Sequence, residues 1–392
     1  MILKTISLVF LLTLVQGSKY NCNPDNVVEY FKRSTYDFAV RILDRVGQQT
    51  DFDFVFSPLS TWLQLMTLAE GATGDTLKEI REVTGVHPLE CFRRKFKEIL
   101  NTMEYELRPV MNRSSVIAID KLLGVKDSFV KKVKTANTDK IVLLNFHDQK
   151  EISSQINKIG NPFDANDFEL TDFLMTSTAY LKSYWCKPFN PVYTMTEMFY
   201  SEENVPIGQV RLMHQEEYFN LTELPSINAK VLELPLNSNN RLSMLVFIPT
   251  NITVMDLFYQ LKYLSLSTIF NRYEAEGTKL VKVKLPRFKI TTELLNLAEL
   301  VNDMDVNRIF YPEVAEFGGI SDYPMYVSLM SQIADIEVTE TGVQASVIAE
   351  SLIREPANSI TFSADRPFAY IIVDRPTETI LFGGIYGNPS IY

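Results

Sequence analysis

The sequence predicts an α+β fold in a single domain. Helical periodicities gather in the first third of the chain, and strand-like runs gather after it. No repeat, low-complexity tract or Pro/Gly/Ser linker interrupts residues 24–392. Regular alternation of strands and helices, the mark of parallel βαβ units, is missing from this order.

Taken in order, Asn26 to Arg45 repeats apolar residues at three- and four-residue spacing, as one buried helix face requires. Ser57-Pro58 is a helix start, so the next helix covers Ser60 to Leu68. Thr76 to Val83 and Leu89 to Leu107 continue the helical period. Strands are then predicted at Ser115 to Leu122, Met175 to Leu181, Lys230 to Leu236, Leu242 to Ile248 and Leu280 to Leu285. Tyr326 to Val338, Phe368 to Val373 and Ile380 to Ile385 complete the set. Helical segments intervene near Val254 to Leu264 and Glu293 to Asn302.

Residues 1–17 read as a secretory signal peptide: Lys4, an apolar run from Ile6 to Val15, then Gly17. The run is too short to span a membrane, so residues 18–392 form the expected secreted, extracellular domain. A net charge of −10 argues against nucleic-acid binding. Two basic groups stand out, Arg93, Arg94, Lys95 and Lys97, then Lys131, Lys132 and Lys134. Each reads first as a solvated helix face; a sulfated-polysaccharide site on the first group is the sharper alternative. The three cysteines make no complete disulfide framework. Cys22 is expected to be unpaired or bonded to an outside thiol, and Cys91 and Cys186 to be buried small apolar residues. Asn112, Asn220 and Asn251 begin glycosylation sequons.

Catalytic chemistry is not legible. His87, His147 and His214 stand apart in the sequence and in no metal-ligand spacing, so no metal and no cofactor are expected. There is no G-x-S-x-G elbow, phosphate-cradling loop or H-E-x-x-H pair, and the chain does not read as an enzyme.

The most informative segment runs from Glu337 to Phe368. It begins and ends like strand, while its middle reads as an exposed loop with one basic residue, Arg354. Yet Val343, Ala345, Val347 and Ala349 alternate, so they would share one face if the loop became a strand. Gln344, Ser346 and Glu350 would face the other way, with Ile348 the exception. A loop written as a buried strand implies two conformations.

Six motifs in order resemble the serpin family across nearly the whole chain. They are FVFSPLSTWLQLMTLAEGATGDT (Phe54 to Thr76), YWCKPFNPVYTMTEMF (Tyr184 to Phe199) and AKVLELPLNSNNRLSMLVFIP (Ala229 to Pro249). VKLPRFKI (Val283 to Ile290), the alternating loop and FSADRPFAYIIVDRPTETILFGGIYGNP (Phe362 to Pro389) follow. The resemblance implies helices packed on a large, mainly antiparallel main sheet plus smaller sheets, with a reactive loop at about 341–361. It implies a monomeric suicide inhibitor whose loop is cleaved by a serine protease and inserts as a new strand. Glu340 and Gly342 match the family's hinge, followed by Val343, Ala345, Val347 and Ala349.

Cleavage between Arg354 and Glu355 implies a trypsin-like protease. The family's usual spacing from the hinge glycine places the bond instead between Pro356 and Ala357. In the sheet-opening region, Ser57, Ser177 and Gln332 occupy the family positions, the last two replacing its asparagine and histidine; a Ser177–Gln332 hydrogen bond is expected. Bulky Val347 and Ile348 would slow insertion, which keeps a non-inhibitory binding or regulatory member as the alternative.

Overall fold

A 26-residue helix, α1 (Pro24–Gln49), opens the ordered chain. The Asn23 side chain caps it by accepting from the Asn26 N–H, and Pro24 sits where a missing N–H costs nothing. The structure is a computed structural model that describes residues 22–50, 53–136, 138–155, 163, 165–168, 171–237, 239–343 and 359–392. The leader at 1–17 lies outside the described residues.

After α1 come β1 (Phe54–Phe56), α2 (Pro58–Ala69), α3 (Gly74–Thr84) and α4 (Glu90–Leu107). Next are β2 (Met111–Asp120), α5 (Asp127–Ala136), β3 (Lys140–Leu144), α6 (Gln149–Gln155), β4 (Phe173–Leu181) and β5 (Ser183–Tyr184). The middle holds β6 (Met195–Tyr200), β7 (Pro206–Leu224), β8 (Ala229–Leu236), β9 (Leu242–Pro249), α7 (Val254–Leu261) and α8 (Leu266–Glu276). The last part holds β10 (Lys279–Pro286), β11 (Phe288–Leu294), α9 (Leu297–Asn302), β12 (Leu329–Thr339) and β13 (Gly342–Val343). It closes with β14 (Ile360–Ser363), β15 (Phe368–Asp374) and β16 (Thr379–Tyr386).

Two sheets organise these strands. The main, seven-stranded sheet runs β3-β2-β4-β12-β13-β5, with β11 also paired to β12. The other has nine strands in the order β1-β16-β15-β9-β8-β7-β10-β14, with β6 added on β7. The long β7 serves two ladders: Leu212 to Phe219 pair with β10, and Asn220 to Leu224 with β8. The smaller sheets of the expected fold are therefore continuous through one strand.

Helices α1, α2 and α4 lock together through aromatic edges. Phe31 meets Trp62 at 6.0 Å and Phe96 at 5.0 Å, both edge-on, the favoured contact between ring quadrupoles. The buried Trp62 indole donates to the Thr84 carbonyl at 2.9 Å, so its one polar atom is satisfied.

This packing overturns the cysteine expectation. Bringing α1 against α4 places Cys22 and Cys91 at adjoining ends, and they form a disulfide with Cα atoms 6.4 Å apart. Lys95 reinforces the junction by donating to the Cys22 carbonyl at 3.0 Å. Cys186 is the free cysteine and is exposed rather than buried, because it follows Trp185, whose ring turns inward.

Some element ends also differ. The predicted helix from Glu293 starts at Leu297, because Glu293 and Leu294 still pair with Ile333 and Gln332 in the sheet. β12 begins at Leu329 rather than Tyr326. β2 stops at Asp120, whose carboxylate accepts from the Leu122 N–H and turns the chain out of the sheet.

Candidate functional site

The site expected from the sequence has two parts, a hinge at the top of the main sheet and a seam beneath it. Ala345, Val347, Ala349, Arg354, Glu355, Pro356 and Ala357 lie outside the described residues. Glu340, Gly342 and Val343 are described, and so is the re-entry of the chain at β14, which pairs in parallel with β10.

At the hinge, Gly342 and Val343 form the two-residue strand β13. It pairs antiparallel with β12 through Thr339 and Val338, and antiparallel with β5 through Tyr184 and Ser183. Val343 is wholly buried. Below this point β12 and β4 are direct neighbours, paired in parallel from Leu329↔Leu174 to Asp335↔Tyr180. The main sheet is thus parted at its top and closed along its length.

Residues flanking the hinge hold it from three directions. The buried Glu340 carboxylate accepts from Thr194 Oγ1 at 2.7 Å and lies 3.4 Å from the Arg287 guanidinium. The Glu340 carbonyl accepts from the Phe189 N–H at 2.8 Å. Trp185 bridges the turn, its indole donating to Thr339 O at 2.8 Å and its backbone N–H to Thr341 O at 3.1 Å. Arg287 also lies over the Tyr392 ring, 5.5 Å from its centroid. The Tyr392 hydroxyl meets the Glu337 carboxylate; burial first, and then that carboxylate, push its phenol up to about 12. Sequence reasoning gave no role to Trp185, Thr194, Arg287 or Tyr392. The spacing of Trp185 and Thr194 within the Tyr184 to Phe199 motif was the available signal.

At the seam, Ser177 and Gln332 face each other in the β4–β12 register. The expected hydrogen bond between them is absent. Gln332 instead reads the backbone of Ser57 on both sides: its Oε1 accepts from the Ser57 N–H at 2.7 Å, and its Nε2 donates to the Ser57 carbonyl at 3.0 Å. The same Nε2 reaches Thr61 Oγ1 at 3.3 Å. A side-chain amide has one acceptor and two donors, so these three contacts occupy it. Ser177 Oγ is left buried without a partner. The side-chain hydrogen bond across this seam is Ser331 Oγ to Thr176 Oγ1, at 2.9 Å.

The other singled-out residues are dispersed. Lys97 and Lys132 converge on Glu70, at 2.6 and 3.9 Å, so the two basic groups meet around a carboxylate. His87 stacks on Phe92 at 3.9 Å; burial, and then Arg93, hold its imidazole below the ordinary value. His214 lies 2.6 Å from Glu197, which also holds Lys284 at 2.6 Å. Burial lowers the His214 value despite the carboxylate. No group of three metal-ligating side chains occurs among the described residues.

Of the sequons, Asn251 is exposed in the bend between β9 and α7. Asn112 is exposed on β2, where its amide donates to the Tyr180 hydroxyl. Asn220 differs, its amide nitrogen donating to the buried Glu233 at 2.7 Å while Arg375 holds the same carboxylate at 2.8 Å.

Comparison with known proteins agrees with this geometry. The family model described as Serpin (serine protease inhibitor) matches residues 33–389. Rat (Rattus norvegicus) neuroserpin is 26% identical over 410 residues, covering 98% of this chain and 96% of its own. The crystal structure of human thyroxine-binding globulin with its ligand superposes with a TM-score of 0.78 at 20% identity, over 93% of this chain and 100% of that one. Native protease nexin-1 with heparin gives 0.77 at 22% identity, over 93% and 100%. Six ordered motifs, a main sheet parted above a closed seam, and a family match over most of the length lead to one conclusion: the chain belongs to the serpin family.

Proposed function

We propose that this chain is a secreted inhibitor that traps a trypsin-like serine protease. The protease cleaves after Arg354, and the severed segment inserts as a new strand of the main sheet before the acyl bond is hydrolysed. The observation that carries the reading is β13, which already pairs on both sides while β4 and β12 stay joined below it. Continuing that pairing with period two would place Ala345, Val347 and Ala349 on the buried face that Val343 occupies.

Energetics favour the same direction. Insertion replaces one parallel ladder, β4–β12, with two antiparallel ones, and antiparallel pairing is slightly the more stable per residue. The chain acts as bait rather than catalyst, since its own nucleophiles are not needed. Secretion is supported by the 1–17 segment and by the Cys22–Cys91 disulfide, a bond that persists in oxidising compartments. A sulfated-polysaccharide partner has less support in the fold than in the sequence. Lys95 is engaged with Cys22, Lys97 with Glu70 and Arg93 with the Pro88 carbonyl.

The test is incubation with trypsin followed by a denaturing gel. A covalent band near the summed mass is expected, and Arg354→Ala should abolish it. Clean loop cleavage with no complex and no gain in melting temperature would instead identify a non-inhibitory binding protein. A band that survives Arg354→Ala would move the scissile bond to Pro356–Ala357.

A further inference from the structure

At the base of the main sheet, a cavity of about 430 Å³ opens between α9 and the approach to β12. That is within the size range of small-molecule sites. Three aromatic side chains line it, Phe310, Tyr311 and Tyr326. Glu299 and Asp303 add two carboxylates, and no Lys, Arg or His side chain lines it.

Two features set this cavity apart from an ordinary acidic surface. Glu299 and Asp303 are four residues apart, a spacing at which like charges on one helix face repel. Neither carboxylate has an ion pair or side-chain hydrogen bond among the described residues, so the repulsion is unrelieved. Between them Asn302, which also lines the cavity, holds its Oδ1 closed off from solvent and without a donor. Buried acceptors are nearly always paired, and an orphaned one marks a place where a donor or cation is missing.

From these observations we infer that the cavity is a binding site for a small organic cation, of the substituted-ammonium class. The carboxylates supply charge, and the ring faces supply the quadrupole attraction that favours a bulky, weakly hydrated cation over sodium or potassium. An inorganic metal ion is a poorer match, because two carboxylates and an amide leave it short of oxygen ligands. The wall of the cavity is tied to both strands of the seam. Val327 donates to Ile309 O at 2.7 Å, and the next residue, Ser328, donates to Phe173 O at 2.9 Å. Occupancy would therefore stabilise the start of β12 against β4.

The experiment is calorimetric titration of the whole protein with choline chloride. The controls are sodium chloride at equal ionic strength and 3,3-dimethylbutan-1-ol, the neutral isostere of choline. Saturable heat is expected for choline alone, with a rise in melting temperature that follows its concentration. Glu299→Gln with Asp303→Asn should weaken binding at least about tenfold. That double variant should fold at least as well as the parent, since it removes a repulsion. Glu313→Gln, an exposed carboxylate outside the cavity, should bind choline as the parent does. Equal binding of the neutral alcohol, no saturable heat, or choline binding undiminished in the double variant would each overturn the assignment.

Discussion

Gly342 lies so close to Ser183 that a Cβ on it would sit 2.2 Å from the Ser183 carbonyl oxygen. Its φ of +150° belongs to glycine as well. Both demands arise because the chain turns here from β12 into the gap beside β5. Gly342→Ala should push β13 out of that gap, costing about 1–3 kcal/mol. In the trypsin assay it should raise the fraction of cleaved, uncomplexed protein; an unchanged ratio of complex to cleaved product would show that β13 does not begin the insertion.

The seam gives two opposite expectations from two facing residues. Gln332→Leu strands the Ser57 N–H and carbonyl in the core, at a cost of about 1–3 kcal/mol for a lost buried partner. Ser177→Ala removes a hydroxyl that already has no partner, and should leave stability unchanged or slightly higher. Denaturant midpoints of the two variants check both, and a loss at Ser177 as large as at Gln332 would contradict the hydrogen-bond assignment.

The Cys22–Cys91 bond closes a loop with a sequence separation of 69. Removing such a constraint from the unfolded chain is worth about 2–4 kcal/mol. Cys22→Ser and Cys91→Ser should therefore lower the melting temperature equally, and the double variant no further. Mobility on non-reducing gels reports the bond directly.

Acidification should weaken the fold in two steps near His214. Burial, followed by the opposing pull of Glu197 and the push of Lys284 and Lys282, leaves its imidazole below the ordinary value of about 6.5. The unfolded chain thus takes the proton first, so this contribution is whole above about pH 6.5 and falls as pH drops below it. Glu197 is also held low: burial acts to raise it, but Lys284 and His214 outweigh burial. Its contribution is present above the ordinary carboxylate range and is lost only in stronger acid. His214→Gln should flatten the upper step in a plot of urea midpoint against pH.

Long, strongly periodic segments were legible in the sequence. The α1, α2 and α4 helices and strands β4, β8, β9, β15 and β16 lie where their apolar spacing placed them, within a few residues. Short or two-faced strands were harder. β11 hides behind Thr291, Thr292 and Glu293, which pair with Asp335, Ala334 and Ile333 and are not fully buried. The hinge residues Glu340 and Gly342 were marked by family resemblance, but their anchors were not, because Trp185, Thr194 and Arg287 reach them from distant parts of the chain. The Gln332 contact was misjudged for a related reason. Sheet register put Ser177 opposite, while the helix underneath offered a better-matched donor and acceptor in the Ser57 backbone.

The Asn220 amide, committed to Glu233, gives one sequon a dependence on time. Sugar is transferred to the same nitrogen that closes this buried contact. Once β7 has paired with β8, the acceptor is spent; before that, it is open. A glycan placed early would leave Glu233 with Arg375 and without its amide donor, and would hold the two strands apart. Occupancy at Asn220, measured against that at exposed Asn251, would thus record whether this hairpin closes before or after the transferase reaches it.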